Sequence, residues 1–255
     1  MKIALFLAAF LFLSQVSFSQ TLNISSDSIT DKSESSKYEI HVSYPSFDFG
    51  PEALMGMRGV AGDMNSELKD IIMSRVDTFR SFAKGNLKDL KEYNSEILKE
   101  DINSYLEIGY EVNCISNNFI SIYFFQEEYI LGMAHPNHYS FSFNSDLGEK
   151  KLDLSDIFLP NSEYLREISK YARTDLKKQF KEMGIEDSDL SMLNDGTTPI
   201  IENFQTWGIN GNDLVIHFDN YAVGPYAIGS FDVYIPKEKL EKSINKNVDV
   251  WGKCR

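Results

Sequence analysis

The chain has 255 residues, 42% of them hydrophobic and 13% aromatic, enough for one large core or two small ones and too apolar for wholesale disorder. Its net charge is −13, and setting aside residues 1–19, which hold one lysine and no acid, takes it to −14. An acidic chain repels nucleic acid and anionic membranes and suits cationic partners, so nucleic-acid binding is the first function excluded.

Residues 1–19 form a separate unit. Lys2 precedes an apolar run, Ile3–Leu13, too short to span a bilayer comfortably. Ser17 and Ser19 supply small residues at −3 and −1 of a cleavage point before Gln20. This is the pattern of a secretory signal peptide. No cysteine follows the run, and no later segment is apolar enough to cross a membrane. The expectation is an exported protein, periplasmic or extracellular, with no membrane span after cleavage. Residues 20–36 are polar and Ser-rich and predict a flexible leader.

Tyr38, Ile40, Val42 and Tyr44 share one face of an alternating run, which predicts a strand ended by Pro45. FGPEALMGMRGVAG then predicts a Gly-rich loop. Met64, Leu68, Ile71, Ile72, Val76, Phe79 and Phe82 recur at spacings of three and four. They predict a helix over Asp63–Lys84, with Gly85 as its C-cap. The charged NLKDLKEYNSEILKED fits a second short helix or an extended connector. Tyr105–Cys114 and Phe119–Tyr129 alternate around Asn117–Asn118 and predict a hairpin, with a third strand at His138–Asn144. LDLSDIF reads as a strand followed by a turn. A second helix is predicted over Ser162–Met183, capped by Asn161 or Ser162 and ended by Gly184. Strands follow at Ile201–Ile209, Leu214–Phe218 and Phe231–Ile235, the first two joined at Asn210–Gly211, and Pro236 opens a short final helix. Strands joined by hairpins give an α+β fold of mostly antiparallel sheets with two long helices, and permit two intimately packed subdomains.

His135 and His138 fall in YILGMAHPNHYSFSF, three apart with Pro136 between them. Residues three apart on a strand or turn do not face the same way. No HExxH and no cysteine pair adds ligands, so no metal site is predicted. Neither GxSxG nor a phosphate loop occurs, and no cofactor is predicted. Cys114 and Cys254 can pair in an oxidising compartment. Equally, Cys114 fits a buried free thiol in its strand, with Cys254 exposed in the tail. Asp219–Pro236, DNYAVGPYAIGSFDVYIP, turns at Gly224-Pro225 and Gly229 and gathers Tyr221, Tyr226 and Phe231. It reads as a loop packing its own rings, or as an aromatic edge for a sugar or a protein partner.

Taken together, these stretches resemble a known family. YILGMAHPNHYSFSFNSDLGEKKLDLSDIF, a long helix, and NDLVIHFDNYAVGPYAIGSFDVYIP are similar to the C-terminal domain of the PdaC/RsiV-like family. That domain is of unknown function and is shared with lysozyme-binding anti-sigma factors. YEIHVSYPSF and MNSELKDIIMSRVDTF resemble its companion N-terminal "deacetylase PdaC" domain. The resemblance spans about Lys37–Leu240. It implies an N-terminal domain at 37–135, a C-terminal domain at 136–245 and a tail at 246–255. The T-F-D-D-G deacetylase motif and the transmembrane and sigma-binding segments are absent from this sequence, and Met133 stands where the family often has a second glycine. What the resemblance then implies is a bacterial envelope module that binds without catalysis, taking cell-wall glycan (peptidoglycan) or a wall-acting protein such as lysozyme. His135, His138, Tyr221, Pro225 and Tyr226 are its candidate binding residues, and no catalytic residue is assigned. The alternative is a polysaccharide-acting hydrolase or deacetylase-associated enzyme, which needs His135 or Asp219 to converge with other polar groups in a pocket.

Overall fold

Two stretches of alternating residues near the start of the chain pair with each other. In the computed structural model, which describes residues 22–51, 53–116, 118–147, 151–185, 191–252 and 254, β1 (Asn23–Ser33) runs antiparallel to β2 (Tyr38–Asp48) along its whole length. The expected signal peptide lies outside the described residues. The flexible leader is overturned: β1 is an edge strand, held by backbone hydrogen bonds, and needs few apolar side chains to stay in place. Pro45 does not end β2; it sits within the strand, opposite Ser26.

Helix α1 (Met55–Tyr93) has 39 residues and absorbs the predicted Gly-rich loop from Met55 on and the predicted connector as far as Tyr93. Ala61, Met64, Leu68, Ile72, Val76, Phe79, Ala83 and Leu87 form one buried stripe. That packing overrides the weak helix propensity of Gly56, Gly59 and Gly62 and carries the helix past Gly85, which therefore caps nothing. A 3₁₀ turn at Ser95–Lys99 leads into β3 (Ser104–Ile115), parallel to β2. β4 (Phe119–Tyr129) and β5 (Asn137–Asp146) complete an otherwise antiparallel sheet in the order β1-β2-β3-β4-β5. The helix covers the face carrying Ile40, Val42, Leu106, Ile108, Ile122 and Phe124.

The second half builds its own core. Helix α2 (Tyr164–Glu182) buries Ile168, Ala172, Leu176 and Phe180, and Gly184, with φ 74°, ends it as predicted. Neither Asn161 nor Ser162 caps it; the N-cap is Glu163, without a side-chain bond. A short helix α3 (Ser191–Gly196) precedes the antiparallel sheet β6 (Trp207–Asn210), β7 (Asp213–Phe218) and β8 (Phe231–Pro236). Ile201–Phe204 is a 3₁₀ turn rather than strand, and the expected final helix is a 3₁₀ turn at Lys237–Lys239. The β6–β7 hairpin turns on Gly211, at φ 63°, and Asn212. The fold is α+β with two mostly antiparallel sheets.

A polar seam joins the halves. β6 lies against β4 and β5 through Ile209 N–H to Ser121 Oγ (3.2 Å), Trp207 N–H to Ser142 Oγ (3.3 Å) and Asn144 Nδ2 to Trp207 O (2.8 Å). A Cβ on Gly208 would stand 2.6 Å from Asn113 Nδ2 and 2.7 Å from Ser121 Oγ, so a side chain there would have to displace one of the seam's polar groups. β5 belongs to the first sheet, so a cut between residues 135 and 136 separates hydrogen-bonded strands. The two cysteines form a disulfide that ties the tail to β3. Among the described residues, no helix is long and apolar enough to cross a membrane.

Candidate functional site

The turn between β4 and β5 meets the loop between β7 and β8. Gly132, at φ 95°, and the Met133 N–H to Ile130 O bond (2.9 Å) set the first bend. On the other side, Pro225 (φ −63°) leads into a 3₁₀ turn at Tyr226–Ile228, and Gly229 (φ 81°) closes it. Residues far apart in sequence are thereby placed ring against ring. His135 stacks on Tyr226, with centroids 4.2 Å apart. His138 lies 6.0 Å and Tyr221 5.6 Å from the same ring. The Pro136 carbonyl accepts from both His135 Nδ1 (2.9 Å) and the Tyr226 hydroxyl (3.1 Å), which locks the two motifs together. His138 Nδ1 is 3.5 Å from Glu127 Oε2. Tyr221 is held at φ 69° with 54% of its surface exposed. A non-glycine residue in the left-handed region is uncommon.

A cleft of about 270 Å³ lies beside these rings, lined by Tyr123, Gln126, His138, Asp219, Asn220 and Ser230 among others. Asp219 follows β7, and its Oδ2 accepts the N–H of Ser140 on β5 (3.0 Å). Burial raises the Asp219 pKa above 3.8, opposed by the Ser140 hydrogen bonds and by the charges of His217 and Arg75. The Ser140 hydroxyl is near enough to act on Asp219 and Tyr123, yet it closes no well-formed hydrogen bond.

Tyr123 links the halves. Its ring stacks on His217 with centroids 4.0 Å apart, and His217 Nδ1 lies 2.6 Å from Asp232 Oδ1. Burial pushes the Tyr123 phenol up to about 12, with Asp232, Asp219 and Glu111 adding to the shift and Ser140 opposing it. The phenol therefore keeps its proton at neutral pH and is available as a donor.

The candidates His135, His138, Tyr221 and Tyr226 thus form one cluster, and Pro225 shapes the turn that presents it. Tyr123, His217, Asp232 and Asn220 complete the neighbourhood; the last three fall in stretches the sequence singles out, but no residue pattern marks them as part of a site. Cys114 and Cys254 belong to the seam instead. Among the described residues, no group of three His, Cys, Asp or Glu side chains is arranged to hold a metal ion. Aromatic faces beside carboxylate, amide and hydroxyl groups can stack on a sugar ring and hydrogen-bond its hydroxyls.

Residues 155–238 match the family model described as Protein of unknown function (DUF3298). The chain is 27% identical over 180 residues to the peptidoglycan-N-acetylmuramic acid deacetylase PdaC of Bacillus subtilis (strain 168). That alignment takes in 66% of this chain but only 38% of the enzyme, so the chain spans well under half of its curated relative's length. Two crystal structures share the fold. A DUF3298 family member from Bacteroides fragilis NCTC 9343 has a TM-score of 0.62 at 18% identity, covering 89% of this chain and 95% of the other. A DUF3298 family protein from Pseudomonas aeruginosa PAO1 has a TM-score of 0.57 at 14% identity, covering 92% and 97%.

Proposed function

We propose that this protein is an exported binding module of the bacterial cell envelope, acting without catalysis, and that its ligand is the glycan of peptidoglycan. The observation that carries this reading is the ring cluster of His135, Tyr226 and Tyr221 beside the Asp219 cleft. Tyr221 supports it further: an exposed tyrosine kept at positive φ is a strained residue presented to solvent, and such strain gathers at ligand sites. The similarity to an enzyme named for peptidoglycan supports the ligand class. Export rests on the pattern of Lys2, Ile3–Leu13, Ser17 and Ser19.

Co-sedimentation with purified insoluble peptidoglycan tests the reading. The protein lacking residues 1–19 should pellet with the glycan, and Tyr221→Ala should bind roughly fivefold more weakly, the loss of about 1 kcal/mol of ring contact. Absence from the pellet at low and at moderate salt would overturn it. If lysozyme were bound instead, and released by moderate salt, the partner would be a cationic wall-acting protein drawn by the charge of −14. The enzymatic alternative draws on one observation, the raised Asp219 carboxyl in the cleft with His138. It predicts glycan turnover, with or without added Zn²⁺, that is lost in Asp219→Ala.

A further inference from the structure

A second cleft, of about 710 Å³, opens on the helix side of the β4–β5 turn. Its walls mix polar residues such as Thr78, Asn86 and Asn137 with an apolar side: Phe82 of α1 is 67% exposed, Tyr139 is 42% exposed, and Ile130 and Met133 are half-buried. Its charged groups are two carboxylates, Glu128 and Asp89, and no lysine or arginine lines it. Glu128 is half-buried and accepts one hydrogen bond, from Gln126 Nε2 (3.1 Å). It makes no salt bridge among the described residues. The neighbouring cation, Arg75, donates to Gln126 Oε1 (2.9 Å) and lies 3.7 Å over the Phe141 ring. Arg75 thus acts on Glu128 only through space.

Gly85 adds an independent observation. It sits inside α1, where glycine weakens a helix, and a Cβ on it would meet no protein atom within 4 Å. Packing within the protein does not require glycine there. Gly85 does line the cleft, and any side chain at that position would project into the space.

We propose that this cleft binds a small organic cation, a primary ammonium carried on an apolar stem. The ammonium meets Glu128 and Asp89, and the stem lies over Gly85 between Phe82 and Tyr139. A half-buried carboxylate whose neighbouring cation, Arg75, is held by Gln126 and the Phe141 ring favours a charge-assisted donor, and the flanking rings favour an apolar body with a positive head. The proposal does not rest on glycan binding, because His135, Tyr221 and Tyr226 do not line this cleft.

Calorimetric titration of the protein with 4-phenylbutylamine, 4-phenylbutanol and 4-phenylbutyrate tests it. The amine should bind roughly tenfold or more tightly than the alcohol, and the carboxylate more weakly still. Glu128→Gln should bring the amine down to the level of the alcohol. Gly85→Leu should abolish amine binding while leaving the fold at least as stable and peptidoglycan sedimentation unchanged. Equal binding of amine and alcohol, no binding of the amine at millimolar concentration, or full binding by Gly85→Leu would each overturn the assignment.

Discussion

At the scale of single residues, Asp219 does for β5 what a neighbouring strand would do. Its carboxylate accepts the Ser140 N–H on the strand's free edge, while Thr206 Oγ1 donates to the Ser140 carbonyl (3.2 Å). The cost is a buried charge, which raises the Asp219 pKa above the 3.8 of an ordinary aspartate. A carboxyl whose folded pKa is raised destabilises the fold when ionised. That penalty disappears as pH falls through the folded value toward the unfolded one. Asp219→Asn keeps an acceptor of similar shape without the charge. The variant should melt above the wild-type protein near about pH 7, and the gap should close by about pH 4. Thermal melts across that range check the sign; a gap that widens on acidification would contradict it. The same residues show what can be read from sequence. His135 and Tyr226 are nameable because each sits in a turn marked by Gly and Pro. His217 and Asp232 become neighbours only as partners across β7 and β8, and Tyr123 meets His217 only when the sheets dock.

Among the elements, β1 carries the clearest lesson. Its residues, NISSDSITDKS, are mostly polar, and composition alone reads them as a leader. An edge strand, however, satisfies its partner's backbone and needs apolar residues only where they touch it, here Ile24 beside Phe47 and Ile29 beside Val42. Lys32 is the kind of edge charge that keeps edges from pairing with other chains. Helix α1 shows the same limit from the other direction. The apolar period locates its centre, but its ends follow the sheet it covers rather than its glycines. Removing residues up to Ser36 takes Leu22 from the first core and the Asp31 partner from Arg80, yet should leave the α1 stripe packed on β2, β3 and β4 while baring the long edge of β2. The shortened chain should self-associate with rising concentration, as an unpaired apolar strand edge does. Sedimentation velocity reads this directly, and a truncated chain that stays monomeric over the range would show that β1 does not guard the edge.

For the molecule as a whole, the two apolar cores are legible in the two helix-and-strand halves, but their union is not. The seam is made of Ser121, Ser142 and Asn144, polar residues that a sequence gives no reason to bring together. Asn113 Nδ2 and Asn144 Oδ1 are buried there without a hydrogen-bond partner. These polar contacts add little to the apolar contact that Cys114 and Phe119 of the first sheet make with the second core, and imperfectly paired polar groups subtract from it. The disulfide compensates. It closes a loop between residues 140 apart in sequence, and the tail it anchors brings Val250 and Trp251 onto the second core. Constraining so long a loop in the unfolded chain should contribute about 2–4 kcal/mol. For a chain of this size, a change to Ala at both Cys114 and Cys254 should lower the melting temperature by roughly 5–15 °C. Reductant should reproduce that shift in the wild-type protein and cause none in the double variant. Because the bond secures the second half, limited trypsin digestion of the reduced protein should cut first at Lys242 or Lys246, before any site in α1. Equal melting temperatures with and without the bond would mean that the polar seam holds the halves together unaided.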